Sequence, residues 1–211
     1  MVILISKIPK NPNPKRRTNS KQLEIWDRIE KQKKKESKVL EIRRAQIDRK
    51  NQDARQKIGL ALERIYTKIS DLEKSIPRNF DPRNEYQNRI ALSIKSEIKS
   101  LKLGLKILVE NKDLIDNTFL LANDFSNALL LFSRKSALNG SQKKIIDNIN
   151  KINQYLKTKN IEYYQKAELL IKLTNNIVQL RKSLSGNIKT RKIMHEYDEI
   201  IQRVLENKVP F

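Results

Sequence analysis

Residues 20–76 read SKQLEIWDRIEKQKKKESKVLEIRRAQIDRKNQDARQKIGLALERIYTKISDLEKSI. This stretch holds no Pro and a single Gly, and it is rich in Lys, Arg, Glu, Gln, Leu and Ile, which are good or fair helix formers. The composition therefore predicts one long helix. Its two halves differ. Residues 30–38 contain no apolar side chain and cannot pack into a core, whereas residues 58–76 carry apolar side chains at alternating steps of four and three, which line one side and need a partner. These are Ile58, Leu62, Ile65, Ile69, Leu72 and Ile76.

The composition of the whole chain favours helices throughout. Only 38% of the 211 residues are hydrophobic and 6% are aromatic, so the core must be built mainly from Leu and Ile. Four Gly and six Pro provide few turns, which argues against a fold with many strands. We expect an all-α protein in which the long basic N-terminal helix is followed by a bundle of about five helices.

Three segments follow from the positions of the breaks. Residues 1–19, with three Pro, are predicted to be an extended basic arm. Residues 20–76 form the long helix, and residues 77–211, beginning with a Pro-containing break, form the bundle. Gly104, inside a predicted helix, indicates a close contact between two helices. Helical periodicity predicts bundle helices over residues 82–112, 113–133, 141–158, 161–184 and 188–207.

Residues 113–133 are predicted to be the buried centre of the bundle. They contain no Lys or Arg, although the chain as a whole carries 45 of them. Their apolar side chains lie almost all around the predicted helix, which is typical of a helix that is buried on every side.

The net charge of +21 favours nucleic acid or an anionic membrane surface as the partner. Residues 1–57 contribute 18 Lys and Arg against 7 Asp and Glu, a net +11, which is about half of the excess in about a quarter of the length. Basic side chains of the arm and the long helix can neutralise successive phosphates without reading base sequence. The predicted contacts are Lys15, Arg16, Arg17, Lys31, Lys33, Lys34, Lys35, Lys38, Arg43, Arg44, Arg49, Lys50, Arg55 and Lys57.

A second basic patch is predicted at the last turn between helices. It consists of Arg181, Lys182, Lys189, Arg191 and Lys192. The alternative interpretation of all these charges is that they are solvated faces which contribute only solubility.

Residues 49–60, Arg-Lys-Asn-Gln-Asp-Ala-Arg-Gln-Lys-Ile-Gly-Leu, resemble the basic D-x-R-(R/Q)-K-I-x-L-G stretch of small conjugal-transfer and mobilisation accessory proteins. Proteins of that family assist a relaxase at a plasmid origin of transfer. The resemblance covers about a dozen residues. It implies that Arg49, Lys50, Arg55 and Lys57 bind DNA.

Catalytic and metal-binding chemistry is not expected. There is no Cys, which fits a reducing cytoplasm, and the single His, His195, has only Glu199 one turn away. An exposed ion pair explains that spacing better than a metal or acid–base site, because no second His or Glu-x-x-His unit is present. No Gly-rich phosphate loop occurs. We therefore expect no enzyme activity, no cofactor, no membrane span and a cytoplasmic protein.

The sequence thus predicts a non-enzymatic nucleic-acid-binding protein, with DNA favoured over RNA, that acts as an accessory of plasmid transfer or maintenance. Its bundle would form a homo-oligomer or recruit a helical protein partner. The alternative is a structural coiled-coil or helical-bundle interaction module with no nucleic-acid role, in which the apolar stripe of residues 58–76 pairs between chains.

Overall fold

The computed structural model describes residues 20–76, 83–112, 115, 118–157, 161–185 and 191–206. The predicted arm over residues 1–19 and the Pro-containing break at 77–82 lie outside these ranges. The protein is all-α, as predicted, and the described residues contain six helices and no strand. The helices are α1 (Ser20–Ser75), α2 (Glu85–Asn111), α3 (Thr118–Lys135), α4 (Gly140–Leu156), α5 (Tyr163–Ser185) and α6 (Arg191–Leu205). None of them combines the length and apolar content that a membrane span requires.

The predicted helix limits agree with the observed ones to within about three residues, except at the start of α3. Two N-caps explain where α2 and α4 begin. The side chain of Asn84 accepts from the backbone N–H groups of Tyr86 and Gln87. Asn139 accepts from the backbone of Gln142, whose own side chain accepts from the Asn139 N–H group, which completes a capping box.

Packing divides the chain into two compact units, residues 1–49 and residues 50–211. The second unit contains the bundle and also the later part of α1. Ala54 and Ile58 are buried in the same core as the bundle helices, and Ile69 packs with Ile98 and Leu101 of α2. The apolar stripe of residues 58–76 therefore has its partner within the same chain. The packing unit begins at Lys50 and not at residue 77, where the long helix was predicted to give way to the bundle.

The centre of the bundle is α5, and the prediction that residues 113–133 fill this place was wrong. Helix α5 contacts α2, α3, α4 and α6. It carries five fully buried apolar side chains at alternating steps of three and four, namely Leu170, Leu173, Ile177, Leu180 and Leu184. Helix α3 is instead amphipathic. Its Phe125 is fully buried, but Leu120 and Leu131 are more than half exposed. The absence of Lys and Arg from residues 113–133 therefore did not identify the central helix.

Ion pairs join the second part of α1 to its neighbours in the second unit. Glu97 of α2 accepts from Lys68 of α1 at 3.1 Å and from Lys182 of α5 at 2.6 Å. These bonds, above all the one from Lys182, hold the pKa of Glu97 below its ordinary value. Lys102 of α2 reaches Glu73 of α1 at 3.2 Å. The three helices are thus held together by polar contacts at the edge of an apolar seam.

Gly104 lies where α2 approaches α5, as its position inside a helix predicted. A Cβ atom built there would come 2.8 Å from Cγ2 of Val178 and 3.5 Å from Cγ2 of Thr174. The first distance is too short for two carbon atoms, so an added methyl group must displace the β-branched Val178.

We predict that Gly104→Ala destabilises the protein although Ala favours a helix. The propensity gain is about 1 kcal/mol, whereas overpacking a close helix contact costs about 1–3 kcal/mol. Urea unfolding measures the difference. In a Val178→Ala background the clashing methyl group is gone, so Gly104→Ala should become neutral or stabilising there. The same loss in both backgrounds would contradict the assignment of the close contact.

Candidate nucleic-acid interface

The predicted contacts fall into three groups. Lys15, Arg16 and Arg17 lie outside the described residues. Eight lie on α1 in the first unit, and all of their side chains are exposed. They are Lys31, Lys33, Lys34, Lys35, Lys38, Arg43, Arg44 and Arg49. The remaining three, Lys50, Arg55 and Lys57, lie in the second unit.

Because α1 is continuous over residues 20–49, spacing sorts the first-unit cations by side of the helix. Arg28, Lys31, Lys35 and Lys38 follow one another at steps of three, four and three, so they lie along one face. We call these four residues the basic face. Lys33, Arg43 and Arg44 lie on the opposite side. Arg28 was not among the predicted contacts, although its spacing from Lys31 and Lys35 was a signal that could have identified it.

The basic face is exposed, and its cations have no ion-pair partner among the described residues. Arg28, Lys31, Lys35 and Lys38 are exposed, and no carboxylate among the described residues lies within ion-pairing distance of any of them. Lys34 differs, because its Nζ lies 2.9 Å from the Glu30 carboxylate one turn earlier. Consecutive members of the face are about 5 Å apart along the helix axis. The face therefore presents a row of four positive charges to solvent.

The three predicted contacts in the second unit are held by α5. Lys50 Nζ lies 5.0 Å from the centre of the Tyr164 ring, and the guanidinium carbon of Arg55 lies 5.4 Å from the centre of the Tyr163 ring. Such cation–π contacts contribute about 0.5–1 kcal/mol each at exposed sites. The side chains of Lys50 and Arg55 remain exposed. These two cations thus help to fasten α1 to the start of α5.

The third of these residues, Lys57, donates to the Glu168 carboxylate of α5 at 2.7 Å. This hydrogen bond and its charge raise the pKa of Lys57 and lower that of Glu168. Three of the four residues that the resemblance assigned to DNA therefore contact α5 within the same chain. Tyr163, Tyr164 and Glu168 were not predicted as partners of α1, because they lie more than 100 residues away along the chain.

The prediction of a second basic patch was wrong for Arg181. Its side chain is buried, with the residue 3% exposed, so it cannot reach a phosphate. Its Nε and Nη2 donate to the two carboxylate oxygens of Asp198 on α6, both at 2.7 Å. Its Nη1 donates to the Ser96 carbonyl oxygen and to Ser100 Oγ of α2, both at 3.0 Å. Arg181 is a structural cation that joins α2, α5 and α6.

The rest of the patch is equally dispersed. Lys182 is half-buried and pairs with Glu97, as described above. Lys192 is exposed. Lys189 and the side chain of Arg191 lie outside the part of the chain that the structure describes. The patch therefore does not form a common surface in the part of the chain that the structure describes.

The Nδ1 atom of His195 lies 3.3 Å from the Glu199 carboxylate, and both side chains are exposed, so the two residues contact each other at the surface, one helical turn apart. Across the described ranges, no group of three or more His, Asp or Glu side chains has the arrangement needed to hold a metal ion.

Comparison with known proteins gives no match to a family model, a curated protein or a solved structure.

We predict that Arg181 and Asp198 matter for stability and not for binding. Asp198→Ala leaves the guanidinium buried without a counter-charge and should cost about 3 kcal/mol or more in urea unfolding. Arg181→Met should cost less, because it fills the buried space with apolar atoms and leaves a carboxylate whose side chain is 40% exposed to water. Nucleic-acid affinity should stay unchanged in both. A loss of affinity in Arg181→Met at wild-type stability would restore the second patch.

Proposed function

We propose that the protein is a non-enzymatic nucleic-acid-binding protein that grips the phosphate backbone through the basic face of α1. The observation that carries the proposal is the exposure of Arg28, Lys31, Lys35 and Lys38 along one side of a helix, with no carboxylate in the described residues to neutralise them. Lys and Arg side chains in such a row displace the cations condensed on nucleic acid, which drives binding by counterion release. Phosphate contacts of this type carry no base information.

The contrast with the second unit supports this interpretation. There, the cations Lys57, Lys68, Lys102, Arg181 and Lys182 all contact carboxylates on other helices. Those charges stabilise the packing of the bundle. Among the described residues, the second unit also holds exposed cations with no such contact, including Lys143, Lys144 and Lys151 of α4. The basic face differs because its four cations follow one another along one side of a single helix, and this row favours an anionic ligand for the first unit.

Duplex DNA is the ligand that a single basic helix fits best. An α-helix with its side chains is about 10–12 Å in diameter, which matches a B-form major groove of about 12 Å. The major groove of A-form RNA is too narrow for side chains to read. The resemblance of residues 49–60 to conjugal-transfer accessory proteins adds an accessory role in plasmid transfer or maintenance to the proposal. Such a role would be carried out in the cytoplasm. The absence of Cys fits this reducing compartment, in which disulfides are rare.

The decisive experiment compares two triple variants of equal charge change. Lys31, Lys35 and Lys38 are replaced by Gln in one, and Lys143, Lys144 and Lys151, which are exposed on α4, are replaced by Gln in the control. Lys→Gln nearly conserves helix propensity, so both variants should keep the fold. Anisotropy of labelled duplex DNA, single-stranded DNA and RNA gives the affinity at several salt concentrations.

We predict that the slope of log affinity against log salt on duplex DNA becomes less negative by up to about three in the α1 variant. The reason is that each neutralised phosphate contributes about −0.9 to this slope. The α4 control should keep the wild-type slope. Equal losses in both variants would mean that only net charge matters. An unchanged α1 variant, or wild-type binding to anionic lipid vesicles but to no nucleic acid, would refute the proposal.

A further inference from the structure

The side of α1 opposite the basic face carries a second pattern, at alternating steps of three and four. It consists of Trp26, Ile29, Lys33, Glu36, Leu40, Arg43 and Ile47, and we call it the mixed stripe. Between Leu23 and Arg49, only Trp26 and Ile47 are half-buried, and every other side chain is exposed. Ile29 is 41% exposed and Leu40 is 54% exposed. In a single copy of the first unit, the described residues therefore leave a regular helical stripe without a partner.

The stripe is complementary to itself when it is read in the opposite direction. Its centre lies between Lys34 and Lys35. About this centre, Lys33 is matched by Glu36, Ile29 by Leu40, and Trp26 by Arg43. Each match joins chemically compatible side chains: an ion pair, an apolar contact, and a guanidinium on an indole ring, which is the most favourable aromatic for a cation.

We propose that residues 23–47 of α1 pair in an antiparallel coiled coil with the same segment of a second copy of this chain. In such a pair the alternating positions of one helix face the other set of positions of its partner, so the layers from Trp26 to Arg43 match the reversed pattern. The symmetry axis passes between Lys34 and Lys35. Two Lys33–Glu36 ion pairs then form at the centre and two Ile29–Leu40 contacts lie outside them.

The flanks of the stripe agree with this orientation. On one flank, Gln32 would approach the exposed Val39 of the second copy. On the other flank, Glu30 would approach Arg44 of the second copy. Neither flank brings two like charges together. An apolar area that a lone helix would leave in water is thereby covered.

A parallel pair in register would be unfavourable. It would place Lys33 against Lys33, Glu36 against Glu36 and Arg43 against Arg43, and like charges in facing positions destabilise a coiled coil. A partner with a purely apolar helix is also disfavoured, because the Lys33–Glu36 layer would then be buried without opposite charges. Charge complementarity therefore selects a second copy, and it selects the antiparallel orientation.

The pairing leaves the basic face outward on both copies, because the two patterns are on opposite sides of the helix. The inference does not rest on nucleic-acid binding, and its tests use the full-length protein without nucleic acid. The proposed pairing gives two different roles to cations within residues 28–44. Arg28, Lys31, Lys35 and Lys38 stay available to a ligand, whereas Lys33 and Arg43 belong to the contact between copies.

Charge reversal at the central layer tests the pairing. Sedimentation equilibrium should find a reversible dimer of the wild type. Lys33→Glu places two carboxylates in each central layer and should raise the dimer dissociation constant about tenfold or more. Glu36→Lys should do the same. The double variant Lys33→Glu with Glu36→Lys restores opposite charges across the pair, so it should return to within about threefold of the wild type.

The matched control is Lys35→Glu, which changes the charge equally but lies on the basic face. It should leave the dissociation constant within about twofold of the wild type. Circular dichroism of every variant checks that the helix is intact. A wild type that is monomeric up to high micromolar concentration would overturn the proposal. So would a double variant as weak as the single ones.

The orientation is tested by disulfide formation, because the chain has no Cys of its own. Ile29→Cys and Leu40→Cys are made in separate proteins, one of them with a tag that separates the products by size. Mixed and mildly oxidised, they should form the disulfide between the two different proteins in preference to either symmetrical one. Efficient oxidation of Ile29→Cys with itself would indicate a parallel pair and would overturn the antiparallel assignment.

Discussion

The bundle depends on one buried cation. Arg181 lies on the central helix α5, and its guanidinium binds the Asp198 carboxylate of α6 and two oxygens of α2. A buried charge without such partners would cost several kcal/mol, so the positions of α2 and α6 along α5 are constrained together. The neighbouring Tyr197 strengthens the constraint. It is fully buried and donates to the Ile177 carbonyl oxygen at 2.7 Å, and burial raises its pKa well above the ordinary value.

The same type of residue has two different tasks in this chain. In the second unit, five Lys and Arg side chains meet carboxylates on neighbouring helices, and each pair adds orientation to packing that is mainly apolar. In the first unit, the cations of the basic face meet no carboxylate in the described residues. Net charge alone does not distinguish these tasks. The proposed binding site follows from the ion pairs and not from the total of +21.

The two proposals use opposite sides of one helix. The basic face offers a row of positive charge to phosphate, and the mixed stripe offers alternating apolar and charged layers to a second copy. If both hold, pairing would present two basic faces on one assembly, and binding through both would raise the apparent affinity without any new contact. Residues 30–38, which have no apolar side chain, serve both purposes because their charges alternate around the helix.

Sequence alone determined the helical class, most helix limits and the exposure of residues 30–38, because periodicity, caps and the absence of apolar side chains act locally. It also identified Gly104 as a close contact. Which helix is central was decided by tertiary structure. Helix α5 carries Lys and Arg, yet Leu173, Leu180 and even Arg181 are buried because α2 and α6 pack against it. The contacts of Lys50, Arg55 and Lys57 were likewise decided by folding. Their partners Tyr164, Tyr163 and Glu168 lie more than 100 residues away, and no local pattern encodes a contact over that separation.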